Sequence, residues 1–78
     1  MFVYILKTIN EPARYYTGVT HNIEKRLQKH NAGDVFHTSK YRPWRLMNYF
    51  WIEDISKAHK FEKYLKSGSG HAFCKKHF

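Results

Sequence analysis

Two short strand-like segments at the start of the chain limit the fold more than any other feature. Residues 2–6 (FVYIL) are apolar, aromatic or β-branched, and residues 14–19 (RYYTGV) carry the same residue types. Residues 10–13 (NEPA) form a turn cluster between them, because Pro12 cannot donate to a strand ladder. Two strands joined by a short turn pair antiparallel. The sequence therefore predicts a β-hairpin.

Gly18 lies late in the second of these strands. An interior glycine weakens a strand unless a bulge or a close neighbour needs the space. Two interpretations follow: a bulge at Gly18, or a group that comes close to the backbone beside Tyr16.

An amphipathic helix is predicted after the hairpin. Thr20 or Asn22 can cap its start, and it runs to about Asn31, where Gly33 provides a C-terminal stop. One helical face, at i, i+4 and i+7 spacing, carries Ile23, Leu27 and His30.

Residues 34–43 (DVFHTSKYRP) are polar and basic and predict a loop that Pro43 ends. Residues 44–52 (WRLMNYFWI) are apolar and aromatic, which predicts a third strand. A second helix then begins after Asp54 or Ser56. Its apolar face carries Ala58, Phe61 and Leu65.

Residues 67–70 (SGSG) predict a break, followed by a short helix over about residues 71–76. The order is then β-β-α-β-α with a further helical turn. We expect an α+β fold in which helices flank a three-stranded antiparallel sheet, and residues 1–78 form one domain.

The charge balance favours a nucleic-acid partner. There are 14 Lys and Arg against 6 Asp and Glu, a net charge of +8, and 18% of residues are aromatic. Such a surface suits phosphate backbones and exposed bases, the alternative being a merely soluble basic protein. Cys74 alone makes no internal disulfide, and the six histidines lack zinc-ligand spacing. Without a secretory leader or a membrane-length apolar run, we expect a soluble cytoplasmic protein and no membrane partner.

Five positions with the expected elements between them carry a resemblance to a known family. Residues 2–4 (FVY) lie on the first strand, residues 16–18 (YTG) on the second, Arg26 and His30 on the first helix, and Glu62 on the second. The set resembles the GIY-YIG nuclease family, with FVY in place of Gly-Ile-Tyr and YTG in place of Tyr-Ile-Gly. It is closest to small single-domain members similar to the nuclease domain of the UvrC excinuclease subunit.

The resemblance implies a metal-dependent endonuclease that hydrolyses DNA phosphodiester bonds, with roles in catalysis for Tyr4, Tyr16, Arg26, His30 and Glu62. Their chemistry agrees with this implication. Glu62 suffices to hold Mg²⁺ or Mn²⁺ with water ligands, and Arg26 offers a planar charged fork for a phosphate. Tyr4 is expected to orient or deprotonate the water, with Tyr16 hydrogen-bonding to Tyr4 or to the water, and His30 to contact phosphate or relay the proton.

Four of these residues also have a purely structural interpretation. Tyr4 and His30 can be packed core residues, Arg26 a solvated charge, and Glu62 a balance for neighbouring lysines. The chain also departs from the family pattern, with Phe2 for the first glycine, and Val19 and Cys74 where other members carry lysine and asparagine. The alternative function is a catalytically weak or inactive nucleic-acid-binding module with the same fold. A third hypothesis is a protein-interaction module that pairs through its third strand.

Nucleic-acid contacts are predicted on the first helix and in the following loop. The residues expected to bind are Lys25, Lys29, His37, Lys40 and Arg42. Such contacts would position DNA without reading its sequence. A flexible basic loop is the alternative for residues 37–42. A weak homodimer is a further expectation, since two subunits with one site each would be needed to cut both strands.

Overall fold

The computed structural model describes residues 1–78, and they form a three-stranded antiparallel sheet with three helices. The predicted α+β class and element order are thus confirmed. A single turn of 3₁₀-helix (Ser39–Tyr41) lies within the predicted loop. The elements are β1 (Phe2–Thr8), β2 (Tyr15–Thr20), α1 (Ile23–Ala32), β3 (Trp44–Trp51), α2 (Ile55–Leu65) and α3 (Gly68–His77).

The first strand is the centre of the sheet, whose order is β2-β1-β3. β1 pairs with β2 in an unbroken register that places Tyr4 opposite Gly18. On its other side Tyr4 lies opposite Tyr49 of β3, and this pairing shifts register between Ile5 and Leu6. β1 is therefore the most buried strand, and its side chains reach both faces of the sheet.

The alternation of β1 side chains produces two hydrophobic clusters, one on each face. Val3 and Ile5 pack with Ala58 and Leu65 of α2. Tyr4 and Leu6 pack on the opposite face with Trp44. The predicted inner face of α1 joins this second cluster through Ile23 and Leu27.

Side-chain caps fix where the first two helices begin. The Asn22 side-chain oxygen accepts a 3.1 Å hydrogen bond from the Lys25 N–H, so Asn22 caps α1 rather than Thr20. Asp54 caps α2 in the same way, accepting from the Lys57 N–H at 3.1 Å. Gly33 ends α1 in the left-handed conformation at φ 84°, as the sequence predicted.

The predicted break at residues 67–70 is wrong, because α3 begins at Gly68, three residues before the predicted start at residue 71. The hydroxyl of Ser67 accepts a 3.2 Å hydrogen bond from the Gly70 N–H and caps the helix. Gly70 is buried, and a Cβ added to it would lie 2.5 Å from the Leu65 Cα. This glycine therefore lets α3 pack closely against the end of α2 instead of interrupting a helix.

The connection between α1 and β3 is anchored at several points. The Trp44 indole N–H donates to the Thr38 carbonyl at 2.9 Å. The Asn31 side chain accepts from the Trp44 backbone N–H at 2.6 Å and donates to the Trp44 carbonyl at 3.0 Å. These bonds disfavour the flexible-loop alternative. No helix in the chain combines the length and apolar character needed to cross a membrane.

Candidate active site

Tyr4 occupies the middle of the site and is only 1% exposed. Its ring lies over Gly18 on the neighbouring strand, where an added Cβ would be 2.6 Å from the Tyr4 hydroxyl oxygen. The close-neighbour interpretation of Gly18 is therefore correct. The bulge interpretation is wrong, because the β1–β2 register is continuous through Gly18.

His30 reaches the Tyr4 hydroxyl from α1. Its Nε2 lies 2.8 Å from the Tyr4 oxygen, and its Nδ1 lies 2.7 Å from the Thr38 hydroxyl. Burial, and after it the charge of Arg26, lowers the pKa of His30 to about 4, so the imidazole is neutral near pH 7. His30 is fully buried, which excludes direct phosphate contact in this conformation and is compatible both with a packed core residue and with a proton relay through Tyr4.

Arg26 approaches the same hydroxyl from one helical turn before His30. Its Nε donates to the Tyr4 oxygen at 3.4 Å, and the residue as a whole is half-buried. Burial raises the pKa of Tyr4, while the hydrogen bond from Arg26 opposes that rise. The contact with Tyr4 in turn raises the pKa of Arg26. The two groups therefore interact directly, and Arg26 favours the ionised form of the phenol.

Tyr16 closes the site on the β2 side. Its half-buried ring lies with its centroid 5.0 Å from that of His30 and 6.2 Å from that of Tyr4. The structure thus brings the two tyrosines of the half-motifs together with Arg26 and His30.

Glu62 approaches from α2, on the helical face shared with Ala58 and Leu65. Its side chain is 20% exposed and accepts a 3.2 Å hydrogen bond from the Lys66 ammonium. That ammonium also lies 5.8 Å from the centroid of the Tyr16 ring. The negative charge of Glu62 contributes to the raised pKa of Tyr4, after burial and Tyr16. The Lys66 contacts therefore place Glu62 near Tyr16, and its charge acts on Tyr4 from α2.

The donor set at this point suits one kind of metal ion. No cluster of three or more His, Cys, Asp and Glu side chains exists in residues 1–78. Glu62 offers a partly exposed carboxylate, which is the donor that Mg²⁺ or Mn²⁺ takes when most of its ligands are waters. Glu62 thus fits a hydrated divalent ion, and Lys66 is the cation that such an ion would compete with.

The five predicted nucleic-acid-binding residues are all exposed, and none forms a hydrogen bond or ion pair with the site. Lys25 and Lys29 lie on the outer side of α1. Lys40 and Arg42 line a shallow cleft of about 300 Å³ with Arg14 of the hairpin. His37 packs edge-on against Phe36. Their contact with DNA stays a prediction.

Sequence reasoning missed Thr38 and gave Lys66 no role beyond local charge. Lys66 follows Glu62 by four residues, and that spacing alone predicts a pair on a helix. No spacing rule connects Thr38 with His30, because the loop that joins them has no regular period. Cys74 is half-buried in the cluster on the opposite sheet face from Tyr4, and burial raises its pKa.

Comparison with known proteins gives a consistent result. The sequence model of the GIY-YIG catalytic domain family matches residues 1–75. The UPF0213 protein of Syntrophus aciditrophicus is 39% identical over 70 residues, which cover 87% of this chain and 78% of that protein. The UPF0213 protein CPE1444 of Clostridium perfringens is 38% identical over 66 residues, or 83% of this chain and 69% of that protein.

A third relative is much longer. The structure-specific endonuclease subunit SLX1 of Debaryomyces hansenii is 35% identical over 51 residues, which cover 58% of this chain but 15% of that protein. No solved structure matches the chain significantly. The match over residues 1–75 includes both half-motifs and all three helical site residues, and the chain therefore belongs to the GIY-YIG catalytic domain family.

Proposed function

We propose that this protein is a metal-dependent endonuclease that hydrolyses DNA phosphodiester bonds. The observation that carries the proposal is the hydrogen-bonded series from Arg26 through Tyr4 to His30, with Glu62 close enough to influence Tyr4. Membership of a nuclease family and the net charge of +8 support the same conclusion. The name of the SLX1 relative agrees with the reaction class.

The first role belongs to His30, which accepts the hydrogen bond of the Tyr4 hydroxyl at Nε2 and takes its proton only as the attacking water gives a proton to Tyr4. The neutral imidazole has a free lone pair for this transfer, and the two atoms are 2.8 Å apart. In the resting protein Arg26 donates to the same oxygen and favours loss of its proton. Tyr4 thus passes the proton of the water on to His30 in one step, and a shift of Arg26 toward a phosphate removes one of the two causes that lower the pKa of His30.

The second role belongs to Arg26 as the phosphate approaches. Tyr4 is only 1% exposed, so water reaches its oxygen only when a covering side chain moves. Arg26 touches that oxygen and is half-buried, and a phosphate would attract its guanidinium. The phosphate then sits beside the Tyr4 oxygen. The water, losing its proton to Tyr4, forms the new bond to phosphorus as the bond to the leaving oxygen breaks.

Glu62 is the residue that would hold the divalent ion, which supplies a Lewis acid for the leaving oxygen when bound. Tyr16 packs against both Tyr4 and His30 and orients the phenol and the water. Lys66 pairs with the Glu62 carboxylate and would have to release it for an ion to bind.

A second candidate function is a nucleic-acid-binding module that does not cleave. The near-complete burial of Tyr4 favours it, because a base that water cannot reach does no chemistry. The two functions differ in whether Arg26 moves when a phosphate binds.

Nicking of supercoiled plasmid DNA in Mg²⁺ or Mn²⁺ tests the proposal. The wild-type chain should nick, and Tyr4→Phe and Glu62→Gln should each lower the rate at least about 100-fold, since each removes a chemical group and keeps the shape. Glu53→Gln removes an exposed acid beside α2 and should nick normally.

DNA binding measured by fluorescence anisotropy at low salt separates the alternatives. We expect the Glu62→Gln variant to bind as tightly as the wild-type chain. Binding by the wild-type chain with no nicking in either metal would establish the non-cleaving module instead. Equal nicking by Glu53→Gln and Glu62→Gln would remove the metal role of Glu62.

A further inference from the structure

Thr38 is buried where the loop before β3 meets α1, and neither the family resemblance nor the sequence pattern gives it a role. It is 1% exposed, and its hydroxyl lies 2.7 Å from Nδ1 of His30. The same hydroxyl lies 3.3 Å from the Val35 carbonyl, to which it can only donate. Thr38 thus stands behind the imidazole, on the side opposite Tyr4.

The backbone holds Thr38 firmly in this position. The Thr38 N–H donates to the Val35 carbonyl at 3.2 Å. The Thr38 carbonyl accepts from the indole of Trp44 at 2.9 Å and from the Tyr41 N–H at 3.2 Å. The Thr38 side chain is therefore held in one orientation toward His30.

The protons of the hydrogen-bonded groups Tyr4, His30 and Thr38 have a single arrangement in which every donor finds an acceptor. Tyr4 is 1% exposed, and Nε2 of His30 is the only acceptor within hydrogen-bonding distance of its O–H. The phenol must therefore donate to Nε2, which places the imidazole proton on Nδ1. That N–H donates to the Thr38 oxygen, and the Thr38 O–H donates to the Val35 carbonyl.

The opposite tautomer leaves a buried donor without a partner. With the proton on Nε2, both His30 and Arg26 would donate to the Tyr4 oxygen, and the O–H of Tyr4 would have no acceptor. Every buried side-chain nitrogen and oxygen of the chain has a partner atom within hydrogen-bonding distance, and only the first arrangement also gives the Tyr4 O–H an acceptor.

We propose that Thr38 is a positioning residue that holds His30 as the Nδ1–H tautomer, so that Nε2 is free to take the Tyr4 proton. The catalytic half of this proposal rests on the nuclease function proposed above. The tautomer half concerns the resting protein and stands without DNA or metal. The other charged or titratable groups that face His30 are Arg26 on α1, Tyr4 on β1 and Tyr16 on β2.

Imidazole ¹⁵N chemical shifts measure the tautomer directly. The spectra would be recorded near pH 7 on the free protein, with His30 assigned by its loss in His30→Gln. In the wild-type chain we expect a protonated, pyrrole-type Nδ1 and a bare, pyridine-type Nε2. Thr38→Val keeps the side-chain shape but loses the acceptor, so its signals should move toward the Nε2–H form. Thr38→Ser keeps the hydroxyl and should retain the wild-type pattern.

Plasmid nicking then tests the consequence for catalysis. Thr38→Val should lower the rate constant about tenfold or more with DNA binding unchanged, and Thr38→Ser should restore most of it. A wild-type spectrum with the proton on Nε2 overturns the proposal even if Thr38→Val does not fold. An unchanged tautomer in Thr38→Val overturns it as well. A shifted tautomer with normal nicking overturns the positioning role, whereas a wild-type chain that never nicks counts against the nuclease function alone.

Discussion

At the scale of residues, the site depends on polar groups that the fold has removed from water. His30 is fully buried and Tyr4 nearly so, and each is kept there by a partner within 3 Å. An unpaired polar group in such a place costs free energy. The stability of the hydrogen-bonded pair Tyr4–His30 is therefore sensitive to the gain or loss of a proton. Gly18 contributes by being small, because any side chain there would displace the Tyr4 ring.

The depressed pKa of His30 makes folding stability depend on pH. The imidazole has a pKa of about 4 in the folded protein and of about 6.5 when unfolded, so the unfolded chain binds a proton more readily. Stability should therefore fall as the pH drops below about 6.5, and the loss should be complete below about 4. We expect a decrease of about 2 kcal/mol in the free energy of unfolding between pH 7 and pH 5. Urea denaturation at the two pH values measures it.

Two variants assign that decrease to His30. His30→Gln keeps a polar side chain that does not titrate, so the difference between pH 7 and pH 5 should shrink to a small fraction. His59→Gln removes an exposed histidine on α2 and should retain the full difference. A full difference in His30→Gln would mean that other groups cause the acid sensitivity.

At the scale of elements, the sequence predicted the types of the helices and strands well and some of their boundaries poorly. The strands and the first two helices follow from apolar periodicity and caps, which are local signals. The start of α3 was misjudged because Ser-Gly-Ser-Gly is a typical break, and only the packing of Gly70 on Leu65 shows that the glycine serves a close contact. Tertiary contact, invisible in a single sequence, overrode local propensity there.

The two glycines of α3 provide a matched pair for that interpretation. Gly70→Ala places a methyl group against the Leu65 backbone and should lower stability by about 1–3 kcal/mol. Gly68→Ala enters open space on the first turn and should raise stability by up to about 1 kcal/mol. Thermal unfolding monitored by circular dichroism measures both. Equal effects of the two substitutions would argue that Gly70 is an ordinary helix residue.

At the scale of the whole molecule, the long-range pairing of the site was predictable only through the family pattern. Periodicity places Tyr4 on a strand and Arg26 with His30 on one side of a helix, but it does not bring Glu62 of α2 to them. The ordered motif supplied that link, and the structure places these groups close together. Thr38 lay outside both kinds of signal, because its role depends on how an irregular loop folds back. A homodimer stays a prediction.

We expect DNA to contact this basic protein at the cleft between the hairpin turn and the loop before β3. Lys40 and Arg42 line it with Arg14, whose guanidinium stacks 4.1 Å from the centroid of the Tyr41 ring. If Lys40 and Arg42 each neutralise one phosphate, the double alanine variant should lower the slope of log affinity against log salt by about 2. Fluorescence anisotropy titrations of a duplex between 50 and about 200 mM salt measure that slope.

Lys57→Ala combined with Lys60→Ala is the control, since it removes the same charge from the exposed side of α2. Its affinity should fall slightly through the smaller net charge, while its slope stays near that of the wild-type chain. The distinction follows from counterion release, which counts phosphates contacted at the surface and not the total charge of the protein. Equal reductions of the slope by both double variants would mean that DNA has no preferred position at the cleft. The loop would then contribute Thr38 to the site without also binding the DNA backbone.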